Sequence, residues 1–122
     1  MSKKILIVDD DKSVGHSLGI LLREDGYLVD ITMDSAEAAL LIGKSKYDVY
    51  LFDYKMKGLN GGDLLKITKT KYPQSAVFII SGMMEADTFS VDGVTADVIH
   101  KPFDIDLLLQ KIRIELKEDL AL

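Results

Sequence analysis

Cysteine is absent from this chain of 122 residues, which excludes both a disulfide framework and a thiolate metal site. Long apolar runs are missing too, since none approaches the roughly 18 residues needed to span a bilayer. The opening Met-Ser-Lys-Lys leads into only four apolar residues and then three aspartates, unlike a secretory signal, so the expected compartment is the cytoplasm and no membrane partner is expected. Positive charge is in deficit, with 15 Lys and Arg against 20 Asp and Glu and a formal net charge of −5. That argues against a nucleic-acid surface, which usually carries a basic stripe. The chain also lacks low-complexity segments, internal repeats and any Pro/Ser-rich linker. Neither G-x-x-x-x-G-K nor G-x-G-x-x-G occurs, so no nucleotide-binding loop is expected. One domain over residues 1–122 is expected, long enough to bury a core, with no output domain attached.

What the chain does contain is four short apolar runs, each ending in a residue that can handle phosphate. Ile5–Val8 runs into Asp9 and Asp10, Val49–Phe52 into Asp53, Val77–Ile80 into Ser81, and Val98-Ile99-His100 into Lys101. Short apolar runs alternating with helical patterns read as buried strands of a parallel sheet. Ligands of such sheets sit just beyond the carboxyl ends of the strands. Residues far apart in sequence are therefore expected to converge on one small site.

The expected elements follow from periodicity and punctuation. A strand over about 4–9 precedes a helix from about Lys12, with Val14, Leu18, Leu21 and Leu22 on one face and a stop at Gly26. An edge-like strand over 27–32 includes Asp30, and Asp34 or Ser35 caps a second helix ending near Gly43. A third strand over about 48–52 is followed by the turn Gly58-Leu59-Asn60-Gly61 and a helix capped by Asn60, which Pro73 ends. A fourth strand covers about 76–80. Residues 82–96 show no clean period, so a fourth helix there would be short or poorly anchored. A strand over about 97–100 and a final helix capped by Asp104, carrying Leu108, Ile112 and Leu116, complete the chain. The final helix should end in the solvated Lys117-Glu118-Asp119. Five βα units in a row predict a doubly wound α/β domain with helices on both faces.

The chemistry of the strand-end residues points to phosphoryl transfer. Asp9, Asp10 and Asp53 offer three hard oxygen donors without His or Cys, which suits Mg²⁺. Asp9-Asp10-Asp11 is a run of mutually repelling carboxylates that needs a cation or protonation to be tolerated. Lys101 supplies positive charge and Ser81 a hydroxyl, and a carboxylate can itself be the nucleophile. A phosphatase with an aspartate nucleophile is disfavoured, because the aspartates are contiguous and no inserted cap covers a substrate. His16 and His100 are not in ligand spacing and are expected to be surface or packed residues. Met83, Met84 and Phe89 are expected to fill core gaps, and Tyr54 to pack or shield.

In order and spacing, Ile7-Val8-Asp9-Asp10-Asp11, Leu51-Phe52-Asp53-Tyr54-Lys55-Met56, Gly58-Leu59-Asn60-Gly61, Ile80-Ser81-Gly82 and Lys101-Pro102-Phe103 resemble a response-regulator receiver domain of two-component signalling, over essentially the whole chain. The resemblance implies a flavodoxin-like, five-stranded parallel sheet in the order 2-1-3-4-5. It implies that Asp53 accepts a phosphoryl group from the phosphohistidine of a sensor histidine kinase or phosphotransfer protein, with Ser81 and Lys101 holding phosphoryl oxygens. Asp10, Asp53 and the backbone carbonyl of Lys55 would ligate Mg²⁺, with Asp9 acting through a water, and Lys101-Pro102 would be cis. Output would pass to a downstream partner protein or output domain, and a homodimer is compatible with the family.

Four departures from the family pattern bear on regulation. Lys57 stands where a proline is usual, so the loop loses a fixed φ. Val98 stands where the family's switch aromatic lies, and valine has no ring to rotate. The Ser81-to-Lys101 interval is short, with Gly93 where a regular fourth helix should run. Lys55 and Met83 flank the expected path of the attacking water and offer no carboxylate or amide to orient it, which implies slow self-dephosphorylation. Lys57, Val98 and the irregular 82–96 stretch motivate an alternative, a phosphate-independent interaction module that keeps the fold without the switch.

Overall fold

The computed structural model describes residues 2–118, so Asp119, expected at the end of the last helix, lies outside the described residues. Within them, strands and helices alternate through most of the chain: β1 (Lys4–Val8), α1 (Lys12–Glu24), β2 (Leu28–Thr32), α2 (Ser35–Lys44), β3 (Val49–Asp53), α3 (Gly61–Lys71), β4 (Ala76–Ser81), β5 (Thr88–Val91), β6 (Val94–His100) and α4 (Ile105–Glu115). Each helix starts where a short polar side chain can accept the first free backbone N–H groups. Asp11 accepts from Ser13 and Val14, Asp34 from Ala36 and Glu37, and Asp104 from Leu107. Asn60 and Asp63 form a reciprocal capping box at the start of α3. Of the two candidate caps for α2, Asp34 does the capping and Ser35 is the first helical residue.

The sheet order is β2-β1-β3-β4-β6-β5, with β1 through β4 and β6 parallel and β5 antiparallel to β6. The doubly wound α/β class is as expected. The five-stranded, all-parallel sheet in the order 2-1-3-4-5 needs correcting, because an antiparallel sixth strand at the edge takes the place of a helix between β4 and the last parallel strand. The cause is local. Thr88-Phe89-Ser90-Val91 alternates in the manner of a half-buried strand, and Asp92 and Gly93 both adopt positive φ, 50° and 79°. Two consecutive positive φ values make a type I′ turn, whose twist matches that of the strands it joins. Asp-Gly is among the strongest short hairpin signals, and it lay inside the stretch whose period was illegible.

Alternation along each central strand sends side chains to two cores, one on each face. Ile5, Ile7, Leu51, Phe78 and Ile80 meet Leu18 and Leu22 of α1 and Leu108 and Ile112 of α4. Leu6, Val8, Tyr50, Phe52 and Ile79 meet Ala38 and Ile42 of α2 and Leu64 and Leu65 of α3. Where a fourth helix would cover the second face, Met84, Phe89, Val91 and Val94 pack against that cluster instead. Phe89 packs at a tilt against Tyr54 with ring centroids 5.3 Å apart, which ties the hairpin to the loop after β3.

The hairpin's dependence on its turn is testable. Gly93→Val is expected to destabilise the domain by about 1–2 kcal/mol, the cost of holding a residue with a side chain in the left-handed region. Urea unfolding would read this, and a change of less than a few tenths would contradict the turn assignment.

Candidate functional site

The parallel register brings the strand ends level. Asp53 pairs with Ile80, and Ser81 with His100, so Asp53, Ser81 and Lys101 emerge at the same edge of the sheet. Asp9 follows β1 beside them. Backbone bonds lock these ends together, with the Tyr54 N–H donating to the Ile80 carbonyl and the Lys101 N–H to the Ser81 carbonyl, both at 2.9 Å. The Lys101-Pro102 bond is cis.

Four of the expected site residues come together. Lys101 Nζ lies 3.1 Å from Asp53 Oδ1 and 3.2 Å from Asp9 Oδ2. One carboxylate oxygen each from Asp9, Asp10 and Asp53 lie within 4.8 Å of one another. Asp9 is fully buried, Asp53 is nearly so, and Asp10 is exposed. Asp9 Oδ1 accepts the Asp11 N–H at 2.9 Å. Its Oδ2 has the Lys101 charge nearby but no aligned donor, and among the described residues it is the buried side-chain polar atom left without a hydrogen bond.

The electrostatics follow from this crowding. Burial pushes the Asp53 carboxyl above the ordinary carboxylate range, the Asp9 charge adds to the rise, and Lys101 opposes it. Burial alone would lower the Lys101 ammonium, but the bond to Asp53 and the charges of Asp9 and Asp53 outweigh it and hold that group above its usual value. One ammonium pairs with two of the three clustered carboxylates, so the fully ionised cluster carries an excess of negative charge. A buried carboxylate oxygen that has an ion pair but no hydrogen bond, within a set of three hard donors, fits a small divalent cation, and Asp9, Asp10 and Asp53 are the side chains able to hold it.

Other expected residues sit around this centre. Ser81 Oγ accepts the Met83 and Met84 N–H groups at 3.1 and 3.2 Å, leaving its own proton free to donate. Lys55, Lys57 and Met83 are exposed at the rim, Met83 to 78%, so the core-filling role expected for Met83, Met84 and Phe89 holds only for the latter two. Val98 does not reach the site. It is buried within β6, and its N–H donates to the Asp87 carbonyl at 2.8 Å. His16 is exposed on α1, and His100 pairs with Asp87 at 3.0 Å. Beside the site, a mainly apolar groove of about 480 Å³ runs between α1 and the start of α4, lined by residues that include Leu18, Leu21, Phe103 and Ile105.

Two further residues shape the site. A Cβ on Gly61 would lie 2.7 Å from the Asp53 carbonyl oxygen, so only glycine lets α3 begin against that peptide. The Gly-Leu-Asn-Gly turn was the signal for it. Ser35 Oγ donates to the Lys57 carbonyl and accepts the Leu59 N–H, each at 3.0 Å. No local signal marks this contact, because its partners lie 22 and 24 residues away.

The family model of the response regulator receiver domain matches residues 5–113. The DNA-binding response regulator MtrA of Mycolicibacterium paratuberculosis is 31% identical, over 98% of this chain and 53% of its own length. The chain thus spans about half the length of the curated relatives that it matches first. The receiver domain of the Francisella response regulator 1452 superposes with a TM-score of 0.80 at 31% identity, covering 95% of this chain and 98% of that one. A CheY-like receiver domain protein from Methanospirillum hungatei JF-1 gives a TM-score of 0.82 at 28% identity, covering 96% and 95%.

The raised Asp53 pKa carries a stability prediction. A carboxyl held above its ordinary value stabilises the fold fully below the unfolded pKa of about 3.9. That contribution is lost as pH rises through the folded value. Without divalent cation, Asp53→Asn should therefore raise the thermal midpoint at neutral pH, since Lys101 retains Asp9 as a partner, and should flatten the loss of stability above about pH 4. A variant that melts below wild type at pH 7 would refute the charge-crowding account.

Proposed function

Because this chain belongs to the response regulator receiver domain family of two-component signalling, we propose that it accepts a phosphoryl group on Asp53 from the phosphohistidine of a sensor histidine kinase or phosphotransfer protein, in a Mg²⁺-dependent step. The observation that carries this reading is the Lys101 ammonium set between Asp53 and Asp9, 3.1 and 3.2 Å away, beside the three-carboxylate cluster. Residues 1–122 act as one receiver unit. Receiver domains are signalling modules, and the chemistry proposed here is confined to the chain's own phosphorylation and its reversal.

An Asp53 carboxylate oxygen attacks phosphorus in line, the P–N bond breaks, and its electron pair stays on the departing imidazole. Lys101, released from the neutralised acceptor, pairs with a phosphoryl oxygen, and the free Ser81 proton is donated to another. Asp10, Asp53 and the Lys55 carbonyl would hold the Mg²⁺, with Asp9 supporting the site from beside them. The bound ion supplies positive charge against the phosphoryl oxygens. Lys55 and Met83, both at the rim, offer no group to orient a hydrolytic water, so the adduct is long-lived.

The apolar groove between α1 and α4 opens beside the acceptor and suits docking of the phosphodonor protein. Net charge of −5 supports protein rather than nucleic-acid partners for this unit, and the DNA binding in MtrA's name is a statement about that protein. Because Ser81 Oγ holds the Met83 and Met84 amides, and Met84 and Phe89 enter the second core, the 83–91 segment is where a downstream partner or output domain reads the phosphoryl state. No helix among the described residues is long and apolar enough to cross a membrane. Nothing observed favours the phosphate-independent alternative.

Intact-mass measurement with a small phosphodonor and Mg²⁺ is expected to show one added phosphoryl group, lost on chelation and in Asp53→Asn. Absence of the adduct with every donor tried would overturn the reading. Mg²⁺ at a hundredfold excess over its Kd should stabilise the wild type by about 2.7 kcal/mol, and Asp10→Asn much less. Met83→Asn, which returns a water-orienting amide, is expected to shorten the adduct lifetime by at most about 10²-fold; an unchanged lifetime would remove Met83 from the account.

A further inference from the structure

We propose that Ser35, on the first turn of α2, is a positioning residue for the phospho-acceptor site: its hydroxyl is the strut that fixes the loop carrying the Lys55 carbonyl. The inference rests on the proposed function, which assigns that carbonyl to the cation. The loop between Asp53 and α3 is poorly tied. Its ends are held, by the Tyr54 N–H on the Ile80 carbonyl and by the Asn60–Asp63 capping box. Between them, the only hydrogen bonds that reach residues 55–59 among the described residues are the two to Ser35 Oγ, one at Lys57 and one at Leu59.

The loop has freedom that needs such a restraint. Lys57 leaves φ unfixed, and Gly58 sits at φ 76°, a region glycine enters at no steric cost. A Cβ at Gly58 would lie 3.0 Å from Ser35 Oγ, so glycine there also admits the hydroxyl. The strut itself is rigid. Ser35 is only 4% exposed, and α2 is anchored by the fully buried Ala38 and Ile42. Asp34 already caps α2, which leaves the serine hydroxyl for the loop. Acting as both donor and acceptor, that one group spans the carbonyl of 57 and the amide of 59 and thereby clamps the peptide between them.

The test compares wild type with Ser35→Ala and with Ser75→Ala. Ser75 is a buried serine ahead of β4 whose hydroxyl donates to the Tyr72 carbonyl at 2.8 Å, so it controls for losing a buried hydroxyl elsewhere. Ala is a good helix former and Asp34 keeps the cap, so Ser35→Ala is expected to fold. Mg²⁺ affinity is read by calorimetric titration and the Leu59 amide by hydrogen exchange. Ser35→Ala is expected to raise the Mg²⁺ Kd by about tenfold, in the range seen when a group behind a metal ligand is lost, and to speed exchange at Leu59. Ser75→Ala is expected to do neither. Wild-type affinity in Ser35→Ala, or an equal loss in Ser75→Ala, would overturn the inference. A wild type that binds no Mg²⁺ and takes no phosphoryl group would instead overturn the proposed function, and faster Leu59 exchange in Ser35→Ala would still report the strut.

Discussion

Two carboxylates withdrawn from water around a single ammonium set the terms for the rest of this molecule. Asp9 is fully buried, Asp53 nearly so, and both face Lys101. Removing a carboxylate from water is costly unless charge and hydrogen bonds compensate it. Here the compensation is incomplete, since Asp9 keeps an unbonded oxygen and Asp10 adds a third negative group. Such an arrangement survives only on a rigid support. The sheet provides one by holding the ends of β1, β3, β4 and β6 level through parallel pairing, and by burying nearly every side chain of the central strands on both faces.

The same site is bounded on one side by a strand where a helix would be usual. The β5–β6 hairpin covers the second core with Phe89 and Val91 and reaches back to the acceptor loop through the contact of Phe89 with Tyr54. Ser81 joins the two regions, because its side chain holds the amides that begin the segment leading to β5. The departures from the family pattern divide by place. Lys55, Lys57 and Met83 lie exposed at the rim, while Val98 is buried inside the sheet.

Much of this was legible along the chain. The four apolar runs located β1, β3, β4 and the end of β6, and the polar residue stopping each run identified Asp9, Asp53, Ser81 and Lys101. The helix caps Asn60 and Asp104 were legible for the same reason, since a cap satisfies amides two or three residues away, and Asp34 was one of two candidates for α2. The hairpin was present in the sequence as Asp92-Gly93 between alternating residues, but the expectation of a fourth βα unit outweighed that signal. Ser35 was legible only as an alternative cap for α2, and its hold on the loop left no trace, because a hydroxyl spanning two backbone groups more than 20 residues away depends on how α2 and the loop are packed.

The sequence by itself determined which residues end the strands, and therefore the set of donors and charges available at the site. Hydrophobic runs and their polar stops are local properties, and a parallel sheet collects whatever stands at its carboxyl edge. Only the tertiary structure decided that Asp9 and Asp53 share Lys101, that one Asp9 oxygen is left unbonded, that the sheet acquires a sixth antiparallel strand, and that Ser35 restrains the acceptor loop. Each of these depends on strand register and on contacts between distant segments, whose energies are settled by packing rather than by neighbours in the chain.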